Sequence, residues 1–173
     1  PDAPNNVAIY PYSANHVLDE ATRAVTLDMP AVQNYTENSF GQNANLMVAI
    51  TSDVFDTALY FKNVGSYLNV RLWGANQTVK SVTITATGGE ALSGAAKVTP
   101  VYGGDPTCEM LAEGSSPSVK LVCADPVVVN TTSDKPVSFW MVLPPVTMES
   151  GLTATVENAE GQTQTFEITK SVT

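Results

Sequence analysis

Apolar residues in this chain recur at every second position far more often than at helical spacing. In residues 67–73, Leu68, Val70 and Leu72 alternate with Tyr67, Asn69, Arg71 and Trp73, the period of a half-buried β-strand. Residues 79–87 repeat the device, with Val82, Ile84 and Ala86 set against Ser81, Thr83 and Thr85 before Gly88-Gly89 turns the chain. Residues 137–143 are apolar on both faces and are stopped by Pro144-Pro145. A strand–turn–strand unit follows, residues 152–156 and 163–169 about Asn158-Ala159-Glu160-Gly161. Further strands are expected at 8–12, 24–29, 46–51, 57–61, 95–102, 119–123 and 127–130. Proline cannot donate to a central ladder, so each proline is read as a strand end or an edge. The best helical stretch, residues 15–23, is short and ambiguous. Many short strands with turn signals about every 8–12 residues predict an all-β chain, an antiparallel β-sandwich with very little helix.

The strands are regular from Thr57 onward, whereas residues 1–56 are looser and rich in Asn and Pro, with a polar stretch over 33–45. A main domain is therefore expected at 57–173, with 1–56 an arm or the tail of a preceding domain. The length of 173 residues fits one domain, or one plus part of another. Charged residues are only 14%, so the polar character comes from Ser, Thr, Asn and Gln, a composition common in secreted and surface-exposed β-proteins. The net charge of −9, with no cluster of Lys or Arg, argues against nucleic acid and against docking on an anionic membrane through a basic patch. No stretch approaches the ~20 apolar residues of a membrane-spanning helix. The chain opens on Pro1 without a signal-peptide pattern, so a targeting segment, and any lipid anchor with it, is expected to lie outside this sequence.

Candidate chemistry is sparse. His16 is the single histidine, no GxSxG elbow surrounds any serine, and HExxH, P-loop and Rossmann patterns are missing. Asp53, Asp56, Asp105, Glu109, Asp125 and Asp134 are the carboxylates that a glycosidase pair would draw on, but nearly all adjoin turn-forming residues. No EF-hand loop or zinc spacing occurs. No catalytic residue, metal site or cofactor is therefore expected, and the protein reads as a non-enzyme. Cys108 and Cys123 flank a turn centred on residues 113–117. A hairpin there would bring them together for oxidation in an exported protein; the alternative is two small buried residues in strands. Trp140 is expected in the core. Tyr67, Asn69 and Trp73 share the outer face of one strand and are candidates for stacking on a glycan or another surface ligand, unless a second layer covers them. Three Asn-X-Thr triplets, at Asn34, Asn76 and Asn130, are no more than a chain rich in Asn and Thr produces by chance.

Several blocks, in order, resemble the fimbrillin-like surface proteins of Bacteroides-type bacteria, the subunits of type V pili and their relatives. They are IYPYSAN (9–15), TLDMPAVQNYTENSFGQNANLMVAI (26–50), YFKNVGSYLNVRLWG (60–74), VKSVTITATGGEALSGAAKVT (79–99) and FWMVLPPVTMESGLTATVENAEGQTQTFEITK (139–170). The resemblance implies transthyretin-like, Greek-key β-sandwich domains, export as a surface lipoprotein to the cell surface or outer membrane, and a second domain opening near FKNV. It also implies a structural or adhesive role in a fimbrium, with other pilus subunits or host and bacterial surface ligands as partners, and assembly by exchange of β-strands. The family's lipobox cysteine has no counterpart here, and most of its first domain is expected to be missing. The chain stops at Thr173, directly after an expected strand. With no extended donor tail after that strand, a tip, anchor or non-polymerising surface relative fits the sequence as well as a polymerising subunit does.

Overall fold

A computed structural model describes residues 5–173. It is all-β, with several packed sheets, and no helix occurs among the described residues. The strands are β1 (Val7–Tyr10), β2 (Val17–Leu18), β3 (Val25–Met29), β4 (Val32–Asn34), β5 (Met47–Ile50), β6 (Lys62–Asn63) and β7 (Ser66–Leu72). They continue as β8 (Gly74–Ala86), β9 (Gly94–Thr99), β10 (Thr107–Met110), β11 (Ser118–Thr131), β12 (Val137–Leu143), β13 (Leu152–Glu157) and β14 (Thr163–Ile168).

Two apolar cores organise them. The larger lies between a five-stranded sheet, β14-β13-β8-β11-β4, and the two-stranded sheet β12-β7. Val82, Ile84, Val119 and Leu121 rise from one side, Phe139 and Met141 descend from the other, and all six are fully buried. The alternation expected in β7 and β8 is what achieves this: Leu68, Val70 and Leu72 face the core, as do Val82, Ile84 and Ala86. The smaller core, with Leu27, Met29, Val48, Ala96 and Val98, involves the sheets β10-β9-β3-β2 and β1-β5-β6. All strand pairs are antiparallel except β4 with β11.

Hydrogen bonding crosses residue 56. β3 pairs with β9, β4 with β11, and Leu46 and Val48 share the smaller core with Val64 and Val98. Residues 5–56 thus fold with the rest of the chain.

Four local expectations are corrected. Residues 15–23 form no helix. The Asp19 carboxylate accepts bonds from the Ala21 and Thr22 amides and the Thr22 hydroxyl, and Arg23 takes a left-handed φ of 60°; such side-chain bonds compete with helical turns. Residues 57–61 lie outside any strand, and residues 57–60 are exposed, following a loop in which Asp53 and Asp56 cap neighbouring amides. The segments at 119–123 and 127–130 are one strand, β11, whose register shifts between Val122 and Val127. Pro126 sits in that irregularity, where no ladder donor is needed. Finally, Cys108 and Cys123 are free. No β10–β11 hairpin forms, because the chain between them passes from one sheet to another: Cys108 packs against the smaller core and Cys123 within the larger.

Candidate functional site: an open flank of the larger sandwich

The larger sandwich has two flanks, and they end differently. On one, β4 is the edge of the five-stranded sheet and its Gln33 side chain is buried. The Gln33 Nε2 donates to the Val142 carbonyl (2.6 Å), and its Oε1 accepts from the Val142 amide (2.9 Å). A side-chain amide thereby does for β12 what a neighbouring strand would do. Tyr35 closes the same side, its ring 5.1 Å from that of Phe139.

On the other flank, among the described residues, β7 is bonded on one side only, to β12, and β14 is bonded only to β13. Five strands face two, so the inner face of β14 has nothing opposite it. Cross-strand register places Phe166 beside Ala154 and Ile168 beside Leu152, on the core side. Yet Phe166 and Ile168 remain 44% and 47% exposed. Between the β7 edge and β14 runs a groove of about 510 Å³, floored by Ile84, Leu152 and Ala154. It continues past Leu72 and Trp73 toward Val156 and Asn158, and at the other end past Leu68 to Pro144, Pro145 and Val172. At ~3.3 Å per residue, β7 alone gives it a length of about 20 Å. Arg71 is the one charged side chain lining these three connected segments among the described residues, and it forms no ion pair there. Gly151 holds the floor in place: with φ at 81°, an added Cβ would sit 1.8 Å from the Ile168 carbonyl oxygen.

The structure divides the expected ligand residues. Tyr67 and Asn69 lie on the outer face of β7, where Tyr67 stacks on Phe40 (5.2 Å, 5° between planes) and donates to Asn45 Oδ1 (3.2 Å). Asn69 stands opposite Trp140 and donates to Ser138 Oγ (3.3 Å). Trp73 has left that face: it follows the end of β7, is 59% exposed, and stands where the groove meets the tip loop of Asn130, Thr132 and Lys135. The three residues therefore make no single platform. Trp140 is also displaced from expectation. It is half-buried on the outer face, because the alternation of β12 gives the core positions to Phe139 and Met141. Sequence reading missed Phe166 and Ile168, whose alternation with Glu167 resembles any half-buried strand.

Elsewhere, Asp56 accepts from Ser52, its carboxyl held below the ordinary range by backbone bonds from Ala58 and Ser52, Asp105 pairs with Lys62 at 3.4 Å, and Glu109 and Asp125 lie in β10 and β11. Burial lowers the pKa of His16, partly opposed by Asp28, and pushes the Cys108 thiol up to about 11. No cluster of three or more His, Cys, Asp or Glu able to hold a metal occurs among the described residues.

No family model matches the chain, and no curated protein matches it significantly. Among solved structures it is similar to a candidate cell adhesion protein from Bacteroides uniformis, at 19% identity with a TM-score of 0.51. The likeness covers 96% of this chain and 60% of that one, so this chain spans less than two thirds of its structural neighbour. At that identity the likeness is one of fold.

Proposed function

We propose that this is a non-enzymatic cell-surface protein with a structural or adhesive role, a fimbrial subunit or accessory component, whose open flank receives a β-strand from a partner. The observation that carries this is the unpaired β7 edge running beside core-facing residues that are left half-exposed. An extended segment laid along β7 would gain ladder hydrogen bonds, and its alternate side chains would cover Phe166, Ile168, Leu152 and Ala154. The similarity to a candidate cell adhesion protein supports the surface role, and the low content of charged residues is in keeping with it.

The test is made on cells that display the protein. Sheared surface fibres should contain it in high-mass assemblies, and Phe166→Asp or Ile168→Asp, at half-exposed positions of the edge strand, should release it from them while leaving the purified chain folded by circular dichroism. Assemblies that persist in both variants would remove the groove from the interface. A second reading, a glycan-binding module, is favoured by one observation: the exposed Trp73 indole is flanked by Asn130, Thr132 and Lys135. Glycan-array binding unchanged in Trp73→Ala would end it.

A further inference from the structure

The groove is apolar in its floor and carries one charge. Arg71 lies on the outer side of β7, exposed, opposite Ser138 on its paired edge. The chain has 8 basic residues in all and a net charge of −9. Lys62 and Lys120 are taken up by Asp105 and Glu157, but Arg71 has no carboxylate partner among the described residues. A strand added at the free edge of β7 would place one outward-facing side chain directly across from Arg71 and others diagonal to it. Cross-strand neighbours of opposite charge attract and like charges repel, and a guanidinium offers a planar fork that fits a carboxylate.

Resting on the strand-acceptor reading above, we infer that the groove selects its occupant by charge: the partner segment alternates apolar residues facing Leu152, Ala154 and Phe166 with outward polar residues, of which the one across from Arg71 is acidic. The acceptor would then discriminate among strands of equal hydrophobicity. Inward positions would supply affinity and exclude a slip of one residue, which turns every apolar side chain away from the floor; the outward carboxylate would exclude a slip of two, which keeps the apolar face but takes the acid away from Arg71.

The experiment uses the whole chain and two fluorescein-labelled octapeptides that alternate threonine and valine, with the third threonine replaced by glutamate or by lysine. Binding is read by fluorescence anisotropy. The glutamate peptide should bind about fivefold tighter than the lysine peptide, the scale of one exposed cross-strand charge pair gained against one repulsion. Arg71→Glu should invert the order, and ~0.5 M salt should shrink the difference. Equal affinity of the wild-type chain for both peptides would overturn the charge selection and leave the strand-acceptor reading standing. So would a preference that survives Arg71→Glu. Binding of neither peptide would overturn the reading itself, and the inference with it.

Discussion

The two flanks of the larger sandwich are built from the same kinds of residue but meet solvent on different terms. At the β4–β12 flank, a buried glutamine satisfies the amide and carbonyl of Val142, and Tyr35 covers Phe139. At the β7–β14 flank, the backbone edge of β7 is unpaired, and Phe166 and Ile168 are nearly half exposed although they point toward the core. Burying apolar surface stabilises a sheet, and a backbone group shut off from water needs a partner. The first flank supplies both the cover and the partner within the chain, at Phe139 and Val142. The second leaves apolar surface in water beside backbone groups that only solvent satisfies, which is why it reads as a place for another strand.

The sharpest way to break this comparison is to remove a large side chain from each flank. Phe139→Ala, at the closed side, should cost about 3–5 kcal/mol in urea unfolding, as expected for a fully buried phenylalanine. Gln33→Ala should cost about 3 kcal/mol, since it leaves the Val142 amide and carbonyl unpaired in a buried site. If the two flanks were equivalent, Phe166→Ala would behave like Phe139→Ala. Instead it should cost the isolated chain about 1–2 kcal/mol, roughly a third of the Phe139→Ala effect, because nearly half of its ring is already in water.

The smallest expected effect concerns the outer side of the five-stranded sheet, far from either edge. Glu157 accepts from the Ser81 hydroxyl (2.8 Å) and pairs with Lys120 (3.2 Å), and these contacts hold its carboxyl below the ordinary 4.5. Its folded pKa is depressed, so the stabilisation is complete above the ordinary value and is lost as pH falls through the lower folded value. Glu157→Gln should flatten that part of an acid-unfolding curve monitored by circular dichroism, with no change near neutral pH in how the groove behaves.

Much of this was legible in the residues. The alternation in β7 and β8 gave the right inner faces, and Pro144-Pro145 marked the true end of β12. The partner of each strand was not legible. The short β4 lies in a polar stretch, and its one decisive residue, Gln33, looks like any surface glutamine until it is seen bonding a backbone 109 residues away. The open flank was hidden for a similar reason. Periodicity says which way Phe166 points, but exposure depends on whether a strand stands opposite, and no local pattern records a strand that is missing. The cysteines left two readings open, a disulfide across a hairpin or two thiols in separate strands, and the second holds because the turn between them carries the chain from one sheet to another.

One feature of β8 bears on how the molecule would carry load. Its 13 residues span about 43 Å. The half from Ser81 to Ala86 is bonded on both sides, to β11 and β13, while the half from Gly74 to Val79 is bonded to β11 alone, beyond the irregularity at Pro126. In mechanical terms β8 is a beam with a clamped root and a compliant tip. Tension applied along its root is shared in shear by two ladders, since antiparallel bonds run perpendicular to the strand. Bending gathers at the junction. Trp73 rides on the compliant tip, so the groove yields at its Trp73 end before it yields at Pro144-Pro145.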